Sequence, residues 1–85
     1  LAFVELRLVS SERTMSFTDV HGVFAKSPVG WFGILPRHAP AIFLLQNSPL
    51  RVKLSEGEKV FLVKNGVIYV RENRVTVTAD EIQSA

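Results

Sequence analysis

The side chains able to do chemistry are few and dispersed. Two histidines, His21 and His38, are separated by a proline-containing segment, and the chain has no cysteine. A metal site needs several His, Cys or carboxylate ligands that converge, so no metal centre is expected. With cysteine absent, a thiol nucleophile and a disulfide framework are excluded too, which suits a reducing compartment. Ser27 and His38 could be imagined as a nucleophile and its base, but no Gly-x-Ser-x-Gly elbow surrounds any serine, and chance pairing is the simpler account. Gly30 and Gly33 enclose the bulky Trp31 and Phe32, without the lysine and hydroxyl that complete a phosphate-binding loop. Trp31, Phe32, Phe43 and Tyr69 could stack bases on an OB-like surface with Arg37, Arg51 and Lys53 nearby, yet the basic residues never cluster as nucleic-acid binding requires. No catalytic, cofactor-binding or metal-ligating residue is therefore assigned, and nucleic acid is not an expected partner.

The chain of 85 residues has room for one small core. With 47% hydrophobic and 21% charged residues it can fill that core and does not resemble a disordered segment. Ten basic and eight acidic residues, mixed along the chain, leave a net charge of +2, too little to imply a polyanionic partner. Glu5 and Arg7 interrupt the apolar residues around Phe3 and Val4, so neither a signal peptide nor a membrane span can be drawn. A soluble chain is expected, reaching a membrane only through a partner.

The elements that must position any site read as short strands. Residues 2–9 alternate, with Phe3, Glu5 and Arg7 on one side and Ala2, Val4, Leu6 and Leu8 on the other. Residues 10–16 read as turn and extended chain rather than a capped helix. A strand over residues 19–25 stops at Ser27 and Pro28, and a loop follows. Gly30 to Leu35 leads into a loop whose Pro36 and Pro40 oppose helix. The apolar run at residues 41–45 reads as a strand buried on both faces, ended by Asn47-Ser48-Pro49. Residues 51–54 turn at Glu56-Gly57 onto a strand over residues 59–64. Asn65-Gly66, flanked by Val63 and Val67, predicts a type I′ hairpin. Glu72-Asn73 turns the chain once more, and residues 75–79 place Val75, Val77 and Ala79 on one face. Asp80-Glu81-Ile82 reads as a helix start. About nine short strands without a long amphipathic helix indicate an all-β sandwich or barrel.

The passage Gly30-Trp31-Phe32-Gly33-Ile34-Leu35-Pro36-Arg37-His38-Ala39-Pro40 resembles the signature of the ATP synthase epsilon subunit family, Gly-acidic-(Leu/Phe)-Gly-Ile-Leu-Pro-Gly-His-Ala-Pro. Residues 6–12 resemble that family's opening strand and Val-Ser-x-Glu turn, Lys64-Asn65-Gly66-Val67 its Gly-Gly hairpin, and Val75-Thr76-Val77 its last strand. The resemblance implies a ten-stranded β-sandwich, or flattened barrel, of two antiparallel sheets. It implies a non-catalytic rotor part of the central stalk, coupling the c-ring to the gamma subunit, with no cofactor of its own. That protein would sit peripherally on the cytoplasmic face of a bacterial inner membrane as part of F1, a mitochondrial or plastid equivalent being the other setting. The competing reading is a small β-sandwich or OB-like binding module for nucleic acid or another ligand.

Carried onto this chain, the resemblance assigns Pro28, Val29, Gly30, Trp31 and Phe32 to the c-ring and Ser10, His38 and Phe43 to gamma. Gly33, Pro36, Arg37 and Pro40 then shape the loop between them. Two positions depart from the family pattern: Trp31 stands where an acidic residue is usual, and Arg37 where glycine is usual. If Phe32 points inward, alternation sends Trp31 outward as an interface anchor, packed on a ring-loop arginine or proline and gaining about 0.5–2 kcal/mol from a cation. An inward Trp31 in a shifted register is the alternative. By the resemblance the sandwich occupies residues 1–80, residues 81–85 begin a truncated or absent helical segment, and the family's C-terminal helical hairpin is missing from this chain.

Overall fold

Alternation of apolar and polar residues is cleanest at the start of the chain, and the structure follows it. The computed structural model describes residues 3–85; Ala2, placed above in the first strand, lies outside the described residues. In β1 (Val4–Val9), Val4, Leu6 and Leu8 are buried while Glu5 and Arg7 are exposed. The described residues form seven strands and no helix, continuing with β2 (Thr14–Ser27), β3 (Gly30–Ile34), β4 (Ala41–Leu54), β5 (Gly57–Arg71), β6 (Arg74–Thr78) and β7 (Glu81–Ser84). The strands are thus fewer and longer than the turn signals suggest.

Three of them bend. In β5, Phe61 and Val63 point inward, but beyond Asn65 the inward positions are Gly66, Ile68 and Val70. The period of two has slipped by one residue, so the second half of the strand buries its opposite face. Its partner β4 makes the same change at the same level: Phe43 and Leu45 face in, then Ser48, Leu50 and Val52. Asn65 achieves this with φ of 50°, a left-handed conformation that asparagine tolerates better than most residues. Its side-chain amide donates to Asp80 Oδ2 at 2.9 Å. In β2 the bend comes from register shifts against β1 and β4, the signature of extra residues in bulges.

Through these bends one hydrogen-bonded sheet becomes two layers. Its strand order is β1-β6-β5-β4-β2-β3, with β1 also pairing β2 and β7 pairing β5. Counting each bent strand once per layer gives ten segments, five in each layer. The first sheet runs β2, β1, β6, β5, β4 and the second β3, β2, β4, β5, β7. This matches the expected ten-stranded flattened barrel. One pairing departs from the expected antiparallel arrangement, since β1 and β6 run parallel. Leu6, Leu8, Leu50, Ile68, Val75 and Val77 fill the space between the layers, each such side chain contributing about 1.5–3 kcal/mol of transfer free energy.

Several local expectations are corrected. Asn65-Gly66 forms no hairpin, because both residues lie inside β5, where Gly66 pairs with Leu45 and Asn65 supplies a bend instead. Glu72 and Asn73 carry the paired positive φ values, 49° and 61°, of the two-residue type I′ turn, with Arg71 opposite Arg74. Asn47-Ser48-Pro49 does not end the strand: β4 runs through it, and the buried Ser48 hydroxyl accepts the Lys26 N–H at 3.0 Å while donating to the Pro49 carbonyl at 2.8 Å. Asp80-Glu81-Ile82 opens no helix; Glu81–Ser84 pairs with β5 as β7, burying Ile82 against Val63. Residues 41–45 are buried on one face only, leaving Ile42 66% and Leu44 77% exposed.

The bend at Asn65 makes a test. Asn65→Val places a β-branched residue in the left-handed region and removes the Asp80 hydrogen bond, and should cost about 2 kcal/mol. Urea unfolding should show this as a lower midpoint with an unchanged slope, whereas Asn65→Gly should lose less.

Candidate functional site

The hairpin that carries the first group of candidate residues is tighter than a loop. Ser27 faces Gly30 across β2 and β3, leaving only Pro28 and Val29 between the strands. Proline presets φ for the second position of such a turn. The Ser27 hydroxyl donates to the Gly30 carbonyl at 3.0 Å and accepts the Val29 N–H at 3.3 Å, which fixes the tip. Val29 is 98% exposed and Trp31 50% exposed. Alternation along β3 sends Trp31 outward and Phe32 inward, as the unshifted register requires. Gly33 permits a close approach: a Cβ there would sit 2.8 Å from the Phe24 ring, which lies over it.

The proline-framed loop is a second rigid piece. The His38 N–H donates to the Leu35 carbonyl at 3.2 Å, Pro36 occupies the second position and Arg37 has φ of 68°. This is the pattern of a type II turn, whose third position favours glycine. The family's usual glycine at position 37 therefore has a backbone reason, and Arg37 holds the same conformation against it. Asn73 assists from the β5–β6 turn, its Oδ1 accepting the Arg37 N–H at 3.1 Å and its Nδ2 donating to the Phe3 carbonyl.

Phe43 joins the two pieces. Its ring stacks on Phe32, with centroids 4.6 Å apart, and receives the edge of His38 at 6.0 Å; His38 Nδ1 lies 2.7 Å from the Ala39 carbonyl. Residues assigned from sequence to two different surfaces thus share one aromatic cluster, and Phe43 turns inward. Ser10 is not part of it. It closes the β1–β2 turn, where its N–H donates to the Arg13 carbonyl at 2.9 Å and its hydroxyl accepts the Arg13 N–H at 3.3 Å. Between β1 and β4 lie β6 and β5, so Ser10 and Phe43 stand about 14 Å apart across the sheet at ordinary strand spacing.

What spans that distance is a face the sequence reading missed. On the outer side of the first sheet, Ile42 lies opposite Tyr69 and Leu44 opposite Val67, with Ile42, Leu44 and Tyr69 all exposed. The signal was present as the second phase of the 41–45 alternation, hidden because both phases are apolar. On the second sheet, Arg51 lies over Trp31 and donates to Glu58, a pairing visible only once the β4–β5 hairpin sets the register.

The aromatic and basic residues weighed for base stacking do not share a surface. Trp31, Arg51 and Lys53 lie on the outside of the second sheet, Tyr69 lies on the outside of the first, and Phe32 and Phe43 pack against the core. His21 Nε2 is 3.1 Å from the Ser55 hydroxyl, and its ring meets Phe3 edge-on. Ser27 and His38 are each engaged with their own neighbours. Among the described residues no three His, Cys, Asp or Glu side chains come together, and no helix is long and apolar enough to cross a membrane.

These features define a β-sandwich domain, with its distinctive residues on one sheet face, one hairpin and the loop between them. Residues 3–85 match the family model for the β-sandwich domain of the ATP synthase delta/epsilon chain, and the chain belongs to that family. It is 40% identical over 81 residues to the ATP synthase epsilon chain of Acinetobacter baylyi, a match covering 94% of this chain and 58% of that one. With the epsilon chain of Psychrobacter arcticus it shares 36% identity over 86 aligned residues, covering 100% of this chain and 62% of the relative. The chain thus spans about three fifths of the length of these curated relatives. The fold is shared with a chain in the Euglena gracilis mitochondrial ATP synthase structure of OSCP, F1 and c-ring, at a TM-score of 0.88 and 18% identity over 99% of this chain and 54% of that one. A chain in the central stalk and c-ring structure from Tetrahymena thermophila gives 0.80 and 17% over 92% and 63%.

The type II turn makes the next test. Arg37→Gly should raise stability by about 1 kcal/mol by relieving the left-handed strain, moving the melting temperature up by about 4–8 °C. A lower melting temperature would show that the Arg37 side chain contributes more than its backbone costs.

Proposed function

We propose that this chain is a non-catalytic part of the ATP synthase central stalk, coupling the c-ring to the gamma subunit, with catalysis residing in other subunits. In this reading the β2–β3 hairpin, from Pro28 to Phe32, meets the c-ring. The outer face of the first sheet meets gamma, from Ser10 at one edge to His38 at the other. Gly33, Pro36, Arg37 and Pro40 set the angle between the two surfaces. The protein works at the cytoplasmic face of a bacterial inner membrane, which it touches only through the complex.

The observation that carries this reading is the exposed apolar trio Ile42, Leu44 and Tyr69. Side chains of this size grouped on one face mark a protein-docking surface. Family membership and relatives named as epsilon chains support gamma as the occupant. The assemblies that contain the structural neighbours, a central stalk with c-ring among them, support the ring as the second partner.

Leu44 supplies the test because it is exposed and removing it leaves the core intact. In co-purification with gamma, Leu44→Asp should weaken capture by about tenfold, or 1.4 kcal/mol, with an unchanged circular dichroism spectrum. Capture equal to that of the unmodified chain would reject the assignment of this face to gamma.

A further inference from the structure

Trp31 does not stand alone on the outside of the second sheet. Arg51 reaches across β2 from β4 and places its guanidinium carbon 5.8 Å from the indole centroid, within range of a cation–π attraction. The guanidinium is itself clamped. Its Nε and Nη2 donate to Glu58 Oε1 and Oε2 at 3.1 and 3.0 Å, a two-pronged arrangement that fixes orientation as well as distance. The side chains of Arg51 and Glu58 are 49% and 34% exposed, so a partner lying on this face would reach both.

One part of the indole is therefore already covered by the chain's own cation, and the remainder is open. Lys26 lies directly opposite Trp31 on β2 and forms no ion pair among the described residues. A basic side chain approaching the indole would meet the Lys26 ammonium beside it and the Arg51 guanidinium over it. An uncharged proline or aliphatic side chain meets neither penalty, and finds a further apolar contact in Val29 at the hairpin tip.

We propose that Arg51 and Glu58 are positioning residues for Trp31, holding the indole open to an uncharged proline or aliphatic turn of the ring subunit, while the charges of Arg51 and Lys26 turn a basic side chain away. This rests on the reading of the hairpin as the ring contact. Of the two ring-loop residues that the sequence leaves open, it selects proline over arginine. The departure at position 31 is then one part of a three-residue arrangement whose other parts sit on β4 and β5.

Trp31 is the only tryptophan in the chain, so its emission reports this position alone. In the free protein, iodide should quench it about twofold more effectively than caesium, because the adjacent cations gather the anion. Arg51→Met should bring the two quenchers toward parity, whereas Glu58→Gln, which removes the negative charge beside the guanidinium, should widen the gap between them. Titrated with purified c-ring carrying gamma in detergent, Trp31→Ala should bind at least tenfold more weakly, and Arg51→Met and Glu58→Gln about three- to tenfold more weakly. Trp31→Ala binding like the unmodified chain would overturn the ring-contact reading itself. Weakened Trp31→Ala with unchanged binding of both Arg51→Met and Glu58→Gln would overturn the positioning role alone. A lysine placed in the contacting ring turn should bind the Lys26→Met/Arg51→Met variant better than the unmodified chain, and equal binding would overturn the exclusion of basic side chains.

Discussion

Everything in this molecule depends on long strands changing which side they bury. A strand that kept one phase throughout would hold its apolar residues on a single flat face, and two such faces would need separate sheets joined by loops. Here β4 and β5 switch phase together at their paired middles. One hydrogen-bonded surface therefore wraps over itself and closes through the β1–β2 pairing. The core between the layers follows from that closure, and so does the crossing of β2 and β4 from one face of the domain to the other.

The closure explains how a small domain presents two distinct outer surfaces. Residues pointing away from the core on the first sheet include Ile42, Leu44 and Tyr69; those on the second include Trp31 and Arg51. Between them the aromatic cluster of Phe32, Phe43 and His38 ties the hairpin to the proline-framed loop. Asn73 links the Arg37 backbone to the first strand. Neither surface is free to tilt independently of the other, because each is anchored in strands they share.

Much of this was legible in the residues. The alternation of the first strand, the outward Trp31 and the inward Val75 and Val77 follow from a period of two, and the family motif supplied the ten-segment sandwich. Two of the failures share one cause. Asn65-Gly66 and Asn47-Ser48-Pro49 carry the residue types of turns, yet a bend inside a long strand uses those same residues, and local sequence cannot distinguish a chain that reverses from one that only changes face. Glu72-Asn73 took the two-residue turn although its first residue is not a usual choice, because Arg71 and Arg74 are held in register by strands on both sides. The positioning pair Arg51 and Glu58 was hidden for a related reason, since it exists only once β4 and β5 are aligned. Ile42 and Leu44 were hidden because an apolar run shows no contrast between its faces.

The passage of β4 through both layers has a mechanical meaning. Its first residues lie in the face proposed to meet gamma, and Arg51, near its far end, touches the tryptophan proposed to meet the ring. A twisting load applied at one surface would reach the other along a continuous covalent backbone braced by β5 on both sides of its bend. Side-chain packing can creep under such a load, whereas a backbone under tension with a ladder of hydrogen bonds loaded in shear yields only if many bonds break together. The bent strand would then be a stiff transmission element, and the soft points of the coupling would lie at the contacts with the partners and outside the domain itself.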